Sequence, residues 1–160
     1  MAAERIEREI LIEAPAEVVW GVTTEPEQIT SWLSDEADVQ ARAGADGRLA
    51  WRPGGRGGGP ESDLIVGIRV VDAEPYRRFS FRWCHPHGVA PDEDNSALVE
   101  FSLTEEAHGT RLRVVESGIG GVTHGDDDRA RYLESHEHGW ERHLGELLDH
   151  VASKASAARR

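Results

Sequence analysis

Two residues in this chain have the chemistry and the placement of an acid–base pair. Glu116 ends the run Thr110-Arg111-Leu112-Arg113-Val114-Val115-Glu116, where strand alternation sets it on the same face as Leu112 and Val114. A carboxylate on the apolar face of a strand is desolvated, which raises its pKa toward the range of a general acid or base. His85 follows Phe79, Phe81 and Trp83 in the same register. An imidazole and a carboxylate at one pocket mouth could exchange protons with a bound molecule or orient its polar group. For that role Glu116 has to stand within hydrogen-bonding distance of His85, Tyr132 or pocket water. The competing reading leaves both residues at strand ends near solvent, with Glu116 paired to a surface arginine such as Arg78 or Arg111.

Other chemistry is poorly supported. His136, His143 and His150 recur every seven residues and line one flank of a helix. Successive side chains there are roughly 10 Å apart, too far to share a metal ion. His136 lies nearest the apolar stripe and reads as a hydrogen-bonded packing residue. Cys84-His85-Pro86-His87 supplies two or three ligands at most and needs a partner from elsewhere, so no metal site is assigned and no cofactor is expected. The glycine-rich stretch Pro53 to Pro60 lacks the Gly-Lys-Ser/Thr ending and the strand-to-helix setting of a phosphate cradle, and reads as a hairpin loop. There is no Ser-centred nucleophile motif, no His-Glu-x-x-His and no dinucleotide fingerprint.

The elements that must position these residues follow from periodicity. Trp140, Leu144, Leu147 and Val151, with Leu133 upstream, form one narrow stripe at 3.6 residues per turn, which predicts an amphipathic helix from about Gly125 to Ala152. Asp126, Asp127 and Asp128 fall at its positive end, where carboxylates are favoured. Upstream, a first strand runs from Ile6 to Ala14-Pro15. Proline at a first helical position then opens one short helix at Pro15 and another at Pro26, the second extending through Trp32 and Leu33. Val39 to Ala41 and Arg48 to Trp51 are brief strands around a Gly44-Ala45-Asp46-Gly47 turn. Leu64 to Val71, Phe79 to Cys84, Ala97 to Leu103 and Thr110 to Glu116 are longer ones with short connections, which implies an antiparallel meander. The expectation is an α+β domain over residues 1–153, a bent antiparallel sheet wrapped around the long C-terminal helix, with a frayed tail over 154–160.

Composition narrows the partners. A formal net charge of −12 disfavours nucleic-acid phosphates and anionic membranes, which such a surface repels. No segment approaches the ~20 apolar residues of a membrane span, and the first residues lack a signal-peptide run. The single cysteine, Cys84, permits no intrachain disulfide, and a cytoplasmic setting is expected.

The order β-α-α-β-β-β-β-β-β-α is the helix-grip arrangement, and several segments resemble one branch of it. Ile10-Leu11-Ile12-Glu13-Ala14-Pro15-Ala16-Glu17-Val18-Val19-Trp20 resembles the opening of the START/Bet v 1-like (SRPBCC) superfamily, and Glu27 to Leu33 its second short helix. Phe79-Ser80-Phe81-Arg82-Trp83, Val99 to Leu103, Gly109-Thr110-Arg111-Leu112 and His136-x-x-Gly139-Trp140-x-x-x-Leu144-x-x-Leu147 are similar to the subgroup named after the activator of heat-shock protein 90 ATPase. The resemblance spans roughly Ile6 to Val151. It implies a fold and a cavity more firmly than an activity, since relatives include lipid carriers, polyketide cyclases and hormone receptors.

With that fold, the expected role is a small apolar or lipid-like ligand held between sheet and helix. The candidate contacts are Trp51, Trp83, His85, Phe101, Val114, Glu116, Tyr132, His136 and Trp140. Large aromatics in a curved sheet are more often core filler than ligand platforms. The alternatives are a cyclase- or hydratase-like enzyme using Glu116 or His85, and a chaperone-interacting stress-response module acting through its surface. A homodimer is the generic expectation for the oligomeric state.

Overall fold

A computed structural model describes residues 5–55, 59–86 and 88–158, with the backbone alone over 156–158. Among these residues the elements run β1 (Ile6–Ile12), α1 (Ala16–Thr24), α2 (Pro26–Ile29), β2 (Glu36–Asp38), β3 (Asp46–Trp51), β4 (Leu64–Glu74), β5 (Arg78–Trp83), β6 (Ala97–Glu106), β7 (Gly109–Ser117), a 3-10 turn at Ile119–Gly121, and α3 (Gly125–Ala158). All seven strands join one antiparallel sheet in the order β1-β7-β6-β5-β4-β3-β2. Closing β1 onto β7 brings the two ends of the chain's sheet-forming region together, and a register shift between Val70 and Asp72 of β4 adds local twist. This is the helix-grip architecture, α+β with one long helix closing the sheet.

The stripe on α3 meets the sheet as its periodicity demands: Trp140, Leu144, Leu147 and Val151 are all buried. Opposite them stand Phe79, Phe81, Val99, Phe101, Leu112 and Val114, alternate residues of β5, β6 and β7. Trp140 packs edge-on against Phe101, with ring centroids 6.0 Å apart. The two short helices seal one end of the core. There the Trp32 indole donates to the Val22 carbonyl, and His143 of α3 pairs through Nδ1 with the Trp32 carbonyl at 3.1 Å.

Several boundaries differ from the sequence expectation for local reasons. The second short helix stops at Ile29 instead of reaching Leu33, because Ser31, Trp32 and Leu33 continue only as turns. The first brief strand is Glu36–Asp38, not Val39 to Ala41, since Glu36 to Asp38 are the residues that find partners on Ala50 to Arg48. Val39 is instead turned into the core. Helix α3 runs to Ala158 instead of ending near Ala152, and the alanines and lysine of that segment are good helix formers. Arg56, Gly57 and Gly58 of the glycine-rich loop lie outside the described residues.

Candidate functional site

Glu116 is the centre of the molecule's one buried ionic cluster among the described residues. On β7 the alternation of Leu112 and Val114 continues to Glu116, whose neighbours across the sheet are Ile6 of β1 and Val99 of β6. A central position between two strands leaves it no solvent, and it is 0% exposed. The strand-end reading is thereby corrected: neither Arg78 nor Arg111 approaches it. Arg78 pairs with Asp72 and Glu74, and Arg111 with Glu106 and Glu9.

Four donors converge on this carboxylate. Trp83 Nε1–H and Tyr132 O–H donate to Oε2 at 2.9 and 2.5 Å, and His136 Nδ1–H and Trp140 Nε1–H donate to Oε1 at 2.9 Å each. Each oxygen receives two bonds, which fills its lone pairs. Three of the donors come from α3 at a spacing of four, Tyr132, His136 and Trp140, and therefore project from one helix face. The fourth comes from the inward face of β5. The cluster thus ties helix to sheet through a single charge.

This geometry reverses the expected pKa shift. Burial pushes the Glu116 carboxyl up, but the hydrogen bond and charge of His136, with the bonds from Tyr132 and Trp140, outweigh it and hold the group below its ordinary value. A carboxylate so held stays ionised and has no free lone pair with which to take a proton. Its neighbours are pushed the other way. Burial and the adjacent carboxylate raise the Tyr132 phenol, and burial raises the Cys84 thiol to about 12, so neither is a ready nucleophile.

His85 does not join the cluster. Cys84 has a φ of +60°, a conformation unusual for a side chain-bearing residue, and this turn ends the alternation of β5. Cys84 is turned to the pocket, while the His85 ring lies over Gly67 of β4, on the face where Ile65 and Arg69 point out. A Cβ on Gly67 would come within 3.2 Å of His85 Cε1, so the glycine makes room for the ring. Burial and the Arg69 cation lower the His85 pKa. The expected pairing of His85 with Glu116 is corrected, because β5 ends at Trp83, two residues before His85. His87 lies outside the described residues, and no group of three or more potential metal ligands occurs among those described.

A pocket of about 350 Å³ opens beside the cluster, between the β3–β4 end of the sheet and the middle of α3. Of the expected contacts, Trp51, Trp83, His136 and Trp140 line it. Phe101 and Val114 are packed in the core beneath it, each about 1% exposed, and Tyr132 stacks on the far side of the His136 ring at 3.8 Å. The walls are indoles: Trp83 lies 6.5 Å from Trp51 and 5.7 Å from Trp140, centroid to centroid. Each is held by its polar edge, Trp51 Nε1–H by the Leu33 carbonyl and the other two by Glu116. Sequence reasoning missed Cys84, Gly139 and Arg142, which also border this space. The Tyr-x-x-x-His-x-x-x-Trp spacing was the signal for the cluster, whereas nothing local announces the turn at Cys84.

The fold and this site define a helix-grip domain whose helix is anchored to the sheet by a hydrogen-bonded carboxylate next to an aromatic pocket. The chain belongs to the family described as activator of Hsp90 ATPase homolog 1-like protein, whose profile matches residues 13–152. Solved structures of similar fold include protein MLL2253 from Mesorhizobium loti, 23% identical over 93% of this chain and 97% of that one, with a TM-score of 0.72. Protein NE0264 from Nitrosomonas europaea is 15% identical over 98% and 99% of the two chains, TM-score 0.74. Protein BH1534 from Bacillus halodurans is 26% identical over 93% and 97%, TM-score 0.68. No curated protein matches the chain in sequence.

Proposed function

We propose that this protein is a small-ligand-binding domain that holds a compact apolar molecule in the pocket walled by Trp51, Trp83 and Trp140. The observation that carries the reading is the pocket itself. Three indoles line it with their polar edges already bonded elsewhere; Trp83 and Trp140 are 6% and 1% exposed and form its floor, and the half-buried Trp51 offers an apolar guest the most ring surface. Gly139 supports the same reading, because a bare helix backbone at this point leaves space where any side chain would stand. The volume is near the lower end for small-molecule sites and holds about a dozen water-sized groups, which favours one or two fused rings over a long-chain lipid. Binding is favoured over catalysis because Glu116, saturated by four donors, acts as a support, and His85 stands on the other side of the sheet.

The test uses 2-acetylnaphthalene, a neutral two-ring compound, read by quenching of tryptophan fluorescence and by thermal shift. Saturable quenching and a raised Tm are expected for the wild-type protein. Gly139→Leu, which fills the space from the helix side, should abolish both without lowering the Tm of the unliganded protein. Equal binding by Gly139→Leu would refute the assignment of the pocket.

A further inference from the structure

We infer that the pocket carries a subsite for a carboxyl group, formed by His136 Nε2 and the Arg142 guanidinium, so that the ligand is a compact aromatic carboxylic acid. The inference rests on the pocket reading and adds the polar end of the molecule. His136 spends Nδ1 on Glu116, and its other ring nitrogen has no protein partner among the described residues. The side chain is 23% exposed and lines the pocket, with its Nδ1 edge turned to the fully buried Glu116. An imidazole oriented by a carboxylate through one nitrogen offers the other to a ligand in a fixed direction.

Arg142 lies six residues further along α3, about 9 Å by helical rise and roughly a third of a turn around the axis, with Gly139 between the two on the pocket side. It makes no ion pair or hydrogen bond among the described residues. None of the described pocket-lining residues is acidic, although the chain as a whole carries a net charge of −12. The lining itself thus adds no anion, and Arg142 is the lining cation set against the Glu116 carboxylate that lies behind His136.

A carboxyl group satisfies both partners. As the carboxylate it accepts from Arg142 and from a protonated Nε2–H. As the acid it donates its proton to a neutral Nε2, and the proton is then shared between ligand and ring with no other group required. The aromatic part of such a ligand would lie against the indoles of Trp51 and Trp83.

The experiment compares 2-naphthoic acid with 2-acetylnaphthalene, which replaces the charged oxygen with a methyl group, by fluorescence titration of the wild-type protein and Arg142→Ala. Arg142 is exposed, so its removal leaves the fold intact. The acid is expected to bind about tenfold more tightly than the ketone, a modest ratio because one of its two partners is solvated. In Arg142→Ala the acid should lose severalfold more affinity than the ketone, so that the ratio falls. In 15N spectra His136 Nε2 should shift on adding the acid and not the ketone. Equal affinity for the two compounds, a ratio untouched by Arg142→Ala, or an unmoved Nε2 would overturn the subsite while ketone binding kept the pocket reading. Failure of both compounds to bind would overturn both.

Discussion

Replacing Glu116 with glutamine isolates the charge at the helix–sheet junction. Glutamine keeps one carbonyl oxygen, which can still accept two bonds, but puts an amide NH2 where the other oxygen received two donors. Tyr132 can rotate its hydroxyl and His136 can change tautomer, so each can turn from donor to acceptor. The indoles of Trp83 and Trp140 are donors only. One indole N–H is left facing another N–H in a buried site, at a cost of about 1–3 kcal/mol, and the remaining bonds lose their charge-assisted component of roughly 0.5–1 kcal/mol each. Relief from burying a charge offsets part of this, giving a net loss of about 2–4 kcal/mol. For a chain of this size that lowers the Tm by roughly 5–12 °C. Urea denaturation followed by circular dichroism measures the loss. Trp83→Phe and Trp140→Phe in the Glu116→Gln background should reveal which indole is stranded: one double variant should be at least about 1 kcal/mol more stable than additivity allows.

The same loss has a pH signature. Because the folded carboxyl is held below the ordinary value of 4.5, its contribution is present above that pH and disappears as pH falls from there through the folded value. The wild-type protein and Glu116→Gln should therefore differ most near neutrality and converge in acid. A Glu116→Gln variant within about 0.5 kcal/mol of wild type at pH 7, or a difference that does not narrow in acid, would refute the account of the cluster.

Other consequences are simpler. Gly145 sits in an exposed turn of α3 where an added Cβ meets nothing within 4 Å, so Gly145→Ala should raise stability by about 0.5–1 kcal/mol in urea denaturation through helix propensity alone. The Cys84 thiol, pushed up to about 12 by burial, should react with a disulfide reagent at pH 8 far more slowly in the folded protein than in denaturant, as a timed absorbance assay would record. His85→Ala should leave 2-acetylnaphthalene binding unchanged in the fluorescence titration, since the ring lies over Gly67 and outside the pocket.

Periodicity made much of this molecule legible in advance. The stripe from Trp140 to Val151 can be buried only against a sheet, and the alternation of Leu112, Val114 and Glu116 places the carboxylate inward whatever the rest of the chain does, because both patterns are set by local backbone geometry. The inward direction of Trp83 and Trp140 was legible for the same reason, but periodicity does not separate them from Phe101 and Val114, which face inward too and lie in the core beneath the pocket. What local pattern could not supply was the balance of effects at Glu116. Burial alone raises a carboxyl, and only the meeting of β5, β7 and three turns of α3 supplies the four donors that reverse the sign. His85 failed for a related reason. Alternation predicts its direction only while the strand continues, and the positive φ at Cys84, which no residue type there announces, turns it to the opposite face. Secondary structure sets the direction of a side chain, and tertiary packing decides what it meets there; the charge state of Glu116 depends on the second.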